Sequence, residues 1–459
     1  MAADHRLSSS SRPRASVLAA TLGLLFGGVS MAQAQSLQEL YDAARAYDAS
    51  YLAARAQAES AEFKAGQADA LARPTVGAGA SAYKTQTHTP SYGTVTAAGP
   101  VTVPAATLNS TATQVGLSAK YSVYNRGNRV TIEQAQRGLG VARADLESAE
   151  QDLIVRVSQA YFDVLNARDT LATAQGNKKA VAEQLASAKR NFEVGTATIT
   201  DTREAQARYD LATAQELAAD NDLRVKQVSL DQIVGRVGVD PKPLAQPVAL
   251  PALASDQVET WVAQSEQHPL IRKAQLGLEV ARLETEKAKA ANGPTVDANG
   301  SLGVVNNRGD VQMPGSTRQA KVGLELNIPL YTGGYNDNRI KETLKLEEKS
   351  RNDLDFARRS ISEATKRAFF GVQSLRAQVK AYEAAEASTK LALEATQLGY
   401  KLGVRVNLDV LNAQTQLFST QRDLAKARYD VVLNSLKLRQ ASGQLRPEDL
   451  AAVNALLAK

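Results

Sequence analysis

Apolar positions recur every three or four residues over most of the chain, and every second residue in four short runs. The first spacing predicts helices and the second predicts strands exposed on one face. Ser36 to Ala72 reads as a helix that Pro74 ends. Thr75 to Lys84 follows as a Gly/Ala/Ser strand with Val76, Ala78, Ala80 and Ala82 on one face, and Thr85 to Ala112 as a polar loop. In the strand Thr113 to Tyr124, Val115, Leu117, Ala119, Tyr121 and Val123 point one way. Gln114, Gly116, Ser118, Lys120 and Ser122 point the other. Val130 to Val194 is an unbroken helical pattern without proline. At 1.5 Å per residue it spans roughly 100 Å, which implies coiled packing against neighbours rather than an ordinary globular core.

The plan then repeats. After a Pro-rich connector come a helix over 256–291, strands over 295–305 and 320–330 with a loop at 306–317 between them, and a second very long helix over 336–402. Thr396 to Gly443 aligns without a gap on Ala188 to Gly235 at an offset of 208, so that Gly195 falls on Gly403, Phe192 on Tyr400, Asp201 on Asp409 and Gly235 on Gly443. Each copy reads as a helix end, a tight turn and a return helix, with Gly195 and Gly403 as left-handed helix terminators. The units are a first repeat over 35–235, a connector over 236–255, a second repeat over 256–443 and a tail over 444–459.

Composition narrows the setting. Residues 1–34 have the form of a secretory signal peptide, with Arg6, Arg12 and Arg14 ahead of an apolar run from Ala15 to Val29 and a small-residue cleavage site at Ala32-Gln33-Ala34. Its removal takes away three Arg and one Asp, so the net charge falls from +6 to +4, too little and too dispersed to imply nucleic acid. No later run reaches the ~20 apolar residues of a transmembrane helix, so any membrane passage would use strands. Cys is absent, and only His88 and His268 follow the signal. That leaves little material for metal sites, cofactors or His-based catalysis, and the S-x-x-K match at 81–84 stands alone on a strand. An enzyme is not expected.

The four strands have the length of tilted membrane-spanning strands, ~9–11 residues, and alternate apolar and polar faces as an outer-membrane barrel does. A soluble sheet packed on one face is the competing explanation. Four strands cannot close a barrel, because the smallest use ~8. Two copies would give a filled barrel, and three would give twelve strands with a lumen. The long helices would continue the tube, unless they form a solid coiled coil around a dry core. A non-conducting structural periplasmic coiled-coil protein is therefore the alternative function.

The duplicated halves, the strand end Ile328-Pro-Leu-Tyr-Thr-Gly-Gly334 and above all Gly399-Tyr-Lys-Leu-Gly-Val-Arg-Val-Asn-Leu-Asp-Val-Leu-Asn-Ala413 resemble the TolC family of outer-membrane channel-tunnel proteins. The resemblance implies a homotrimer with a twelve-stranded β-barrel in outer-membrane lipid and a long periplasmic α-helical barrel. It implies a passive exit duct for efflux or type I secretion, served by a periplasmic adaptor and an inner-membrane transporter. It also implies that Tyr400 and Arg405 on one turn, and Thr200 and Asp201 on the other, link the hairpins and close the periplasmic entrance. Asp409 falls where the family places an inward ring of carboxylates, but a second acidic position one turn on is Asn412 here. The plainer alternatives are that Thr198, Thr200 and Asp201 cap the return helix and that Asp409 is a solvated carboxylate. The cargo is not written in the sequence.

Overall fold

The computed structural model describes residues 34–248, 250–310 and 314–458. The signal peptide expected at 1–34 lies almost wholly outside them. Two short helices, α1 (Leu37–Tyr47) and α2 (Ala49–Asp69), lead into β1 (Thr75–Thr89), β2 (Tyr92–Thr96), β3 (Gly99–Val103) and β4 (Ala106–Asn125). Then come α3 (Arg126–Glu193) and its return helix α4 (Ile199–Val234). The second half runs α5 (Val258–Gln264), α6 (Pro269–Ala290), β5 (Thr295–Gly309), β6 (Gly315–Asn327), α7 (Tyr335–Lys401), α8 (Asn407–Ala441) and α9 (Asp449–Asn454). At 68 and 67 residues, α3 and α7 are each roughly 100 Å long.

Several expectations need correction. The helix expected over 36–72 breaks at Asp48, whose backbone leaves the helical region (φ −59°, ψ 114°) and whose side chain accepts from Tyr51 N at 2.8 Å to start α2. The break is anchored by Arg156 of α3, whose guanidinium donates to both Asp48 oxygens at 2.9 and 3.0 Å. That pair holds the buried Asp48 carboxyl below the usual carboxylate range. The polar loop expected over 85–112 is mostly strand: β1 and β4 stay paired to Thr89 and Ala106, and β2 and β3 form a hairpin beyond them. Thr-rich sequence is polar on both faces, so it hides the alternation while its β-branched side chains still favour strand. The loop expected over 306–317 is likewise strand at both ends, with β5 running to Gly309 and β6 starting at Gly315. β6 ends at Asn327, short of Leu330, because Pro329 has no N–H for a ladder.

The principal core is a belt halfway along the long helices. Leu37, Leu40 and Tyr41 of α1 pack with Ile154, Val157 and Tyr161 of α3, Leu230 of α4, Val432 and Leu436 of α8, and Leu450 of α9. The connector is part of this belt. Leu244 bridges to Leu457, and the Tyr161 hydroxyl donates to the carbonyl of Lys242 at 2.8 Å. Its prolines thus fix an extended path across the helices, and the tail folds back as α9 to cover it.

Candidate functional site

The two ends of the molecule carry the arrangements with functional meaning. At one end is an antiparallel four-stranded sheet in the order β1-β4-β5-β6. Its register puts Ala78, Leu117, Leu302 and Ala320 side by side, and likewise Val76, Ala119, Gly300 and Val322. One face is therefore apolar and open, with Val322 92% and Leu324 75% exposed. The other face is polar. Asp297 pairs with Lys120 at 2.8 Å and accepts from the Ser122 hydroxyl at 2.6 Å, while Asn299 donates to Glu325 at 2.9 Å. Among the described residues, β1 and β6 each have one edge without a neighbouring strand.

At the other end the two long hairpins turn side by side. Gly195 (φ +81°) and Gly403 (φ +77°) take the left-handed conformation that ends α3 and α7, where a side chain would strain the backbone. Equivalent bonds close both turns: Thr196 N to Asn191 O at 2.8 Å and Val404 N to Gly399 O at 2.9 Å. The return helices start alike. Thr198 caps α4, accepting from Asp201 N at 3.2 Å, while Asp201 accepts from Thr198 N at 2.9 Å. In α8 the cap position is Val406, so only the half of that exchange made by Asp409 remains, at 3.4 Å.

The structure places the expected site residues as follows. Tyr400 reaches across the hairpins, its hydroxyl accepting from Asn191 Nδ2 at 3.2 Å. Asp201 is engaged in capping, and Thr200 is exposed. Arg405 lies 3.7 Å from Asp409 on its own helix start. Among the described residues, Thr200, Asp201 and Arg405 make no side-chain hydrogen bond or ion pair with the other hairpin. Two further links were not anticipated. Gln184 donates to Asn407, and Arg208 donates to Asn412 Oδ1 at 3.1 Å. These polar ties flank a small apolar seam of Val181, Leu185 and Ala188 against Ala205 and Leu411. Asn407 is only 3% exposed, a polar residue where the helical phase calls for an apolar one, and that was the available signal.

Among the described residues no cluster of His, Cys, Asp and Glu could hold a metal ion, and no helix is long and apolar enough to cross a membrane. Against known proteins, residues 40–236 and 263–444 match the family described as outer membrane efflux protein. The chain is 32% identical over 349 residues to the outer membrane protein TolC of Vibrio cholerae, covering 74% of this chain and 78% of that protein. It is 32% identical over 325 residues to the alkaline protease secretion protein AprF of Pseudomonas aeruginosa, covering 69% and 67%. The crystal structure of the outer membrane protein VceC from Vibrio cholerae shares the fold at a TM-score of 0.75 and 19% identity, covering 89% of this chain and 96% of that one.

Proposed function

This chain belongs to the outer membrane efflux protein family, the TolC family, and from that premise we propose that three copies pool their sheets into one twelve-stranded barrel, continued in the periplasm by a helical barrel. The protein is an outer-membrane exit duct for efflux or type I secretion and not an enzyme. One observation carries the trimer: a sheet with one apolar face, one polar face and two unpaired edges. In lipid each unpaired backbone group costs several kcal/mol, about enough to forbid an open edge. Closure by further copies removes the edges, buries the apolar face in lipid and leaves the Lys120–Asp297 face to water.

A periplasmic adaptor engages the hairpins, and an inner-membrane transporter supplies the energy. The entrance is closed at the tips by Tyr400 within each copy, and by Arg405 reaching Thr200 and Asp201 of the adjoining copy. Asp409 contributes one carboxylate per copy to the entrance. Its proximity to Arg405 within the chain and the Arg208–Asn412 bond weaken any cation preference. The test is conductance of the purified protein in a planar bilayer, together with its mass in detergent. A trimer forming discrete pores is expected. A monomer that forms none would overturn the proposal.

A further inference from the structure

The outer third of the sheet breaks its own inside–outside rule. Even-numbered residues of β1, β5 and β6 share the apolar face with odd-numbered residues of β4 up to Tyr121, beyond which a register shift sets Tyr124 opposite Val296. From Val296 to Val304 this face covers roughly 27 Å along the strand, or about 20 Å once tilted, close to the apolar band of a membrane barrel. At the end of the band away from the helices the same face carries Arg318, level with Val304. Farther out, Lys84 and Arg308 sit on either side of Thr111. All three are exposed, and none has a carboxylate within ion-pair distance among the described residues. The nearby Asp310 accepts from the backbone N–H of Asn109 at 3.3 Å. On the opposite face, the same levels hold Ser81, Tyr83, Gln114, Val305, Asn307 and Thr317, none of them charged.

A cation that needs only water is better placed on the wet face. Cations that merely guard open strand edges would sit on β1 and β6, yet Arg308 is on the inner strand β5, opposite Thr111 of β4 and one residue beyond the last β5–β6 pair, Asn307 with Gly315. Across the ladder Lys84 and Arg308 are two strand spacings apart, about 10 Å. Their long side chains can converge on a phosphate while the stems stay against apolar surface. The hairpin end faces the cell exterior, since the ~100 Å helices occupy the periplasm.

We infer that Lys84, Arg308 and Arg318 form a binding belt for phosphorylated glycolipid of the outer leaflet, with the phosphates on the cations and the acyl chains along the apolar face. This rests on the proposed barrel. In a closed ring the β6 edge of one copy meets the β1 edge of the next, so Arg318 of one copy and Lys84 of its neighbour lie on the two strands of that seam.

The experiment titrates the purified full-length protein with doubly phosphorylated lipid A and counts bound lipid by native mass spectrometry. A surface cation contributes about fivefold to anionic-lipid affinity, so K84Q/R308Q/R318Q should bind about a hundredfold more weakly than wild type. The charge-conserving K84R/R308K/R318K should stay within about twofold, and dephosphorylated lipid A should bind wild type and neutral variant alike. Unchanged affinity in the neutral variant, or in R308Q should the triple variant not fold, would overturn the inference. So would equal binding of phosphorylated and dephosphorylated lipid by wild type. Phosphatidylglycerol bound as tightly and lost in the same variant would overturn the assignment to glycolipid. Pores with unaltered lipid binding sink the belt alone, whereas absence of pores in wild type sinks the barrel beneath it.

Discussion

The bond between Asn191 and Tyr400 offers a test of the proposed closure of the entrance. It joins the tips of α3 and α7, is partly buried and measures 3.2 Å. A neutral hydrogen bond of this kind contributes ~0.5–1.5 kcal/mol net. Three copies opening together would multiply that to about 3 kcal/mol, or roughly a hundredfold in the closed-to-open ratio. Tyr400→Phe and Asn191→Ala should each raise the open probability in single-channel recordings by that order. The double variant should do no more, because both changes delete one bond, and the cycle should show a coupling of ~1 kcal/mol per copy. Additive effects, with coupling below about 0.3 kcal/mol, would refute the reasoning and leave Tyr400 as a packing residue. Arg405→Ser supplies the contrast. Within one chain it deletes only an exposed contact to Asp409 at 3.7 Å, on one helix start. Such a pair is worth ~0.3–0.5 kcal/mol at most. Over three copies opening together that is about 1–1.5 kcal/mol, so a shift much beyond tenfold measures the proposed link to the adjoining copy, and no shift removes Arg405 from the gate.

Three further outcomes follow from the geometry. Asp48→Ala removes the α2 cap and leaves Arg156 without its partner, costing ~2–4 kcal/mol after allowance for the partly exposed guanidinium, read as a lower thermal midpoint. Because Asp48 titrates below its unfolded value, its contribution is present above the ordinary Asp range, about 4, and is lost as pH falls through the depressed folded value; Asp48→Asn should flatten that acid limb of a stability profile. Gly235→Ala should destabilise by more than ~2 kcal/mol, since φ is +73° and the new Cβ would lie 2.3 Å from the Tyr47 ring, whereas Gly195→Ala, at φ +81° in open space, should cost only ~1 kcal/mol. Asp409→Ala should lower the cation-to-anion permeability ratio by less than about twofold, given Arg405 beside it, and a larger change would mean the carboxylates act as a free ring.

What the sequence made legible was whatever is local or duplicated. The turns at Gly195 and Gly403 were readable because two copies at one offset repeat the same helix end, and the apolar sheet face because Val115 to Val123 alternate over a full strand. The break at Asp48 was not, because its cause is Arg156, 108 residues away. The outer strands were missed where Thr and Asn occupy both faces and erase the period. Arg208–Asn412 and Gln184–Asn407 each join one repeat to the other: the helical phase singles out Asn407 as a polar residue at an apolar position, but nothing local identifies partners 204 or 223 residues distant.

The duplication also says what an adjoining copy must meet. Within the chain the first hairpin presents Gln184, Asn191 and Arg208 to Asn407, Tyr400 and Asn412 of the second. In a closed ring the second hairpin faces the first hairpin of the next copy, and the offset of 208 gives the counterpart pairs: Ala392 to Ile199, Gly399 to Phe192, and Gln416 to Glu204. The first two cannot hydrogen-bond through side chains, so the two kinds of seam differ in chemistry although their backbones match. Burial agrees with a missing neighbour. Ile199 is 49% exposed in the chain while its counterpart Asn407 is 3% exposed, and Phe192 is 43% exposed. Apart from the proposed Arg405 link, the seam between copies of such a ring would thus carry fewer side-chain bonds at the tip than the seam within a copy. Since the chain has no Cys, I199C/A392C offers a clean probe. Under mild oxidation the double variant should run as covalent dimers and trimers on a denaturing gel and lose open-state conductance until reduced. Either single variant should remain a monomer on the gel. A disulfide forming only within one chain, or none while the protein is trimeric, would show that the ring is not built by this offset.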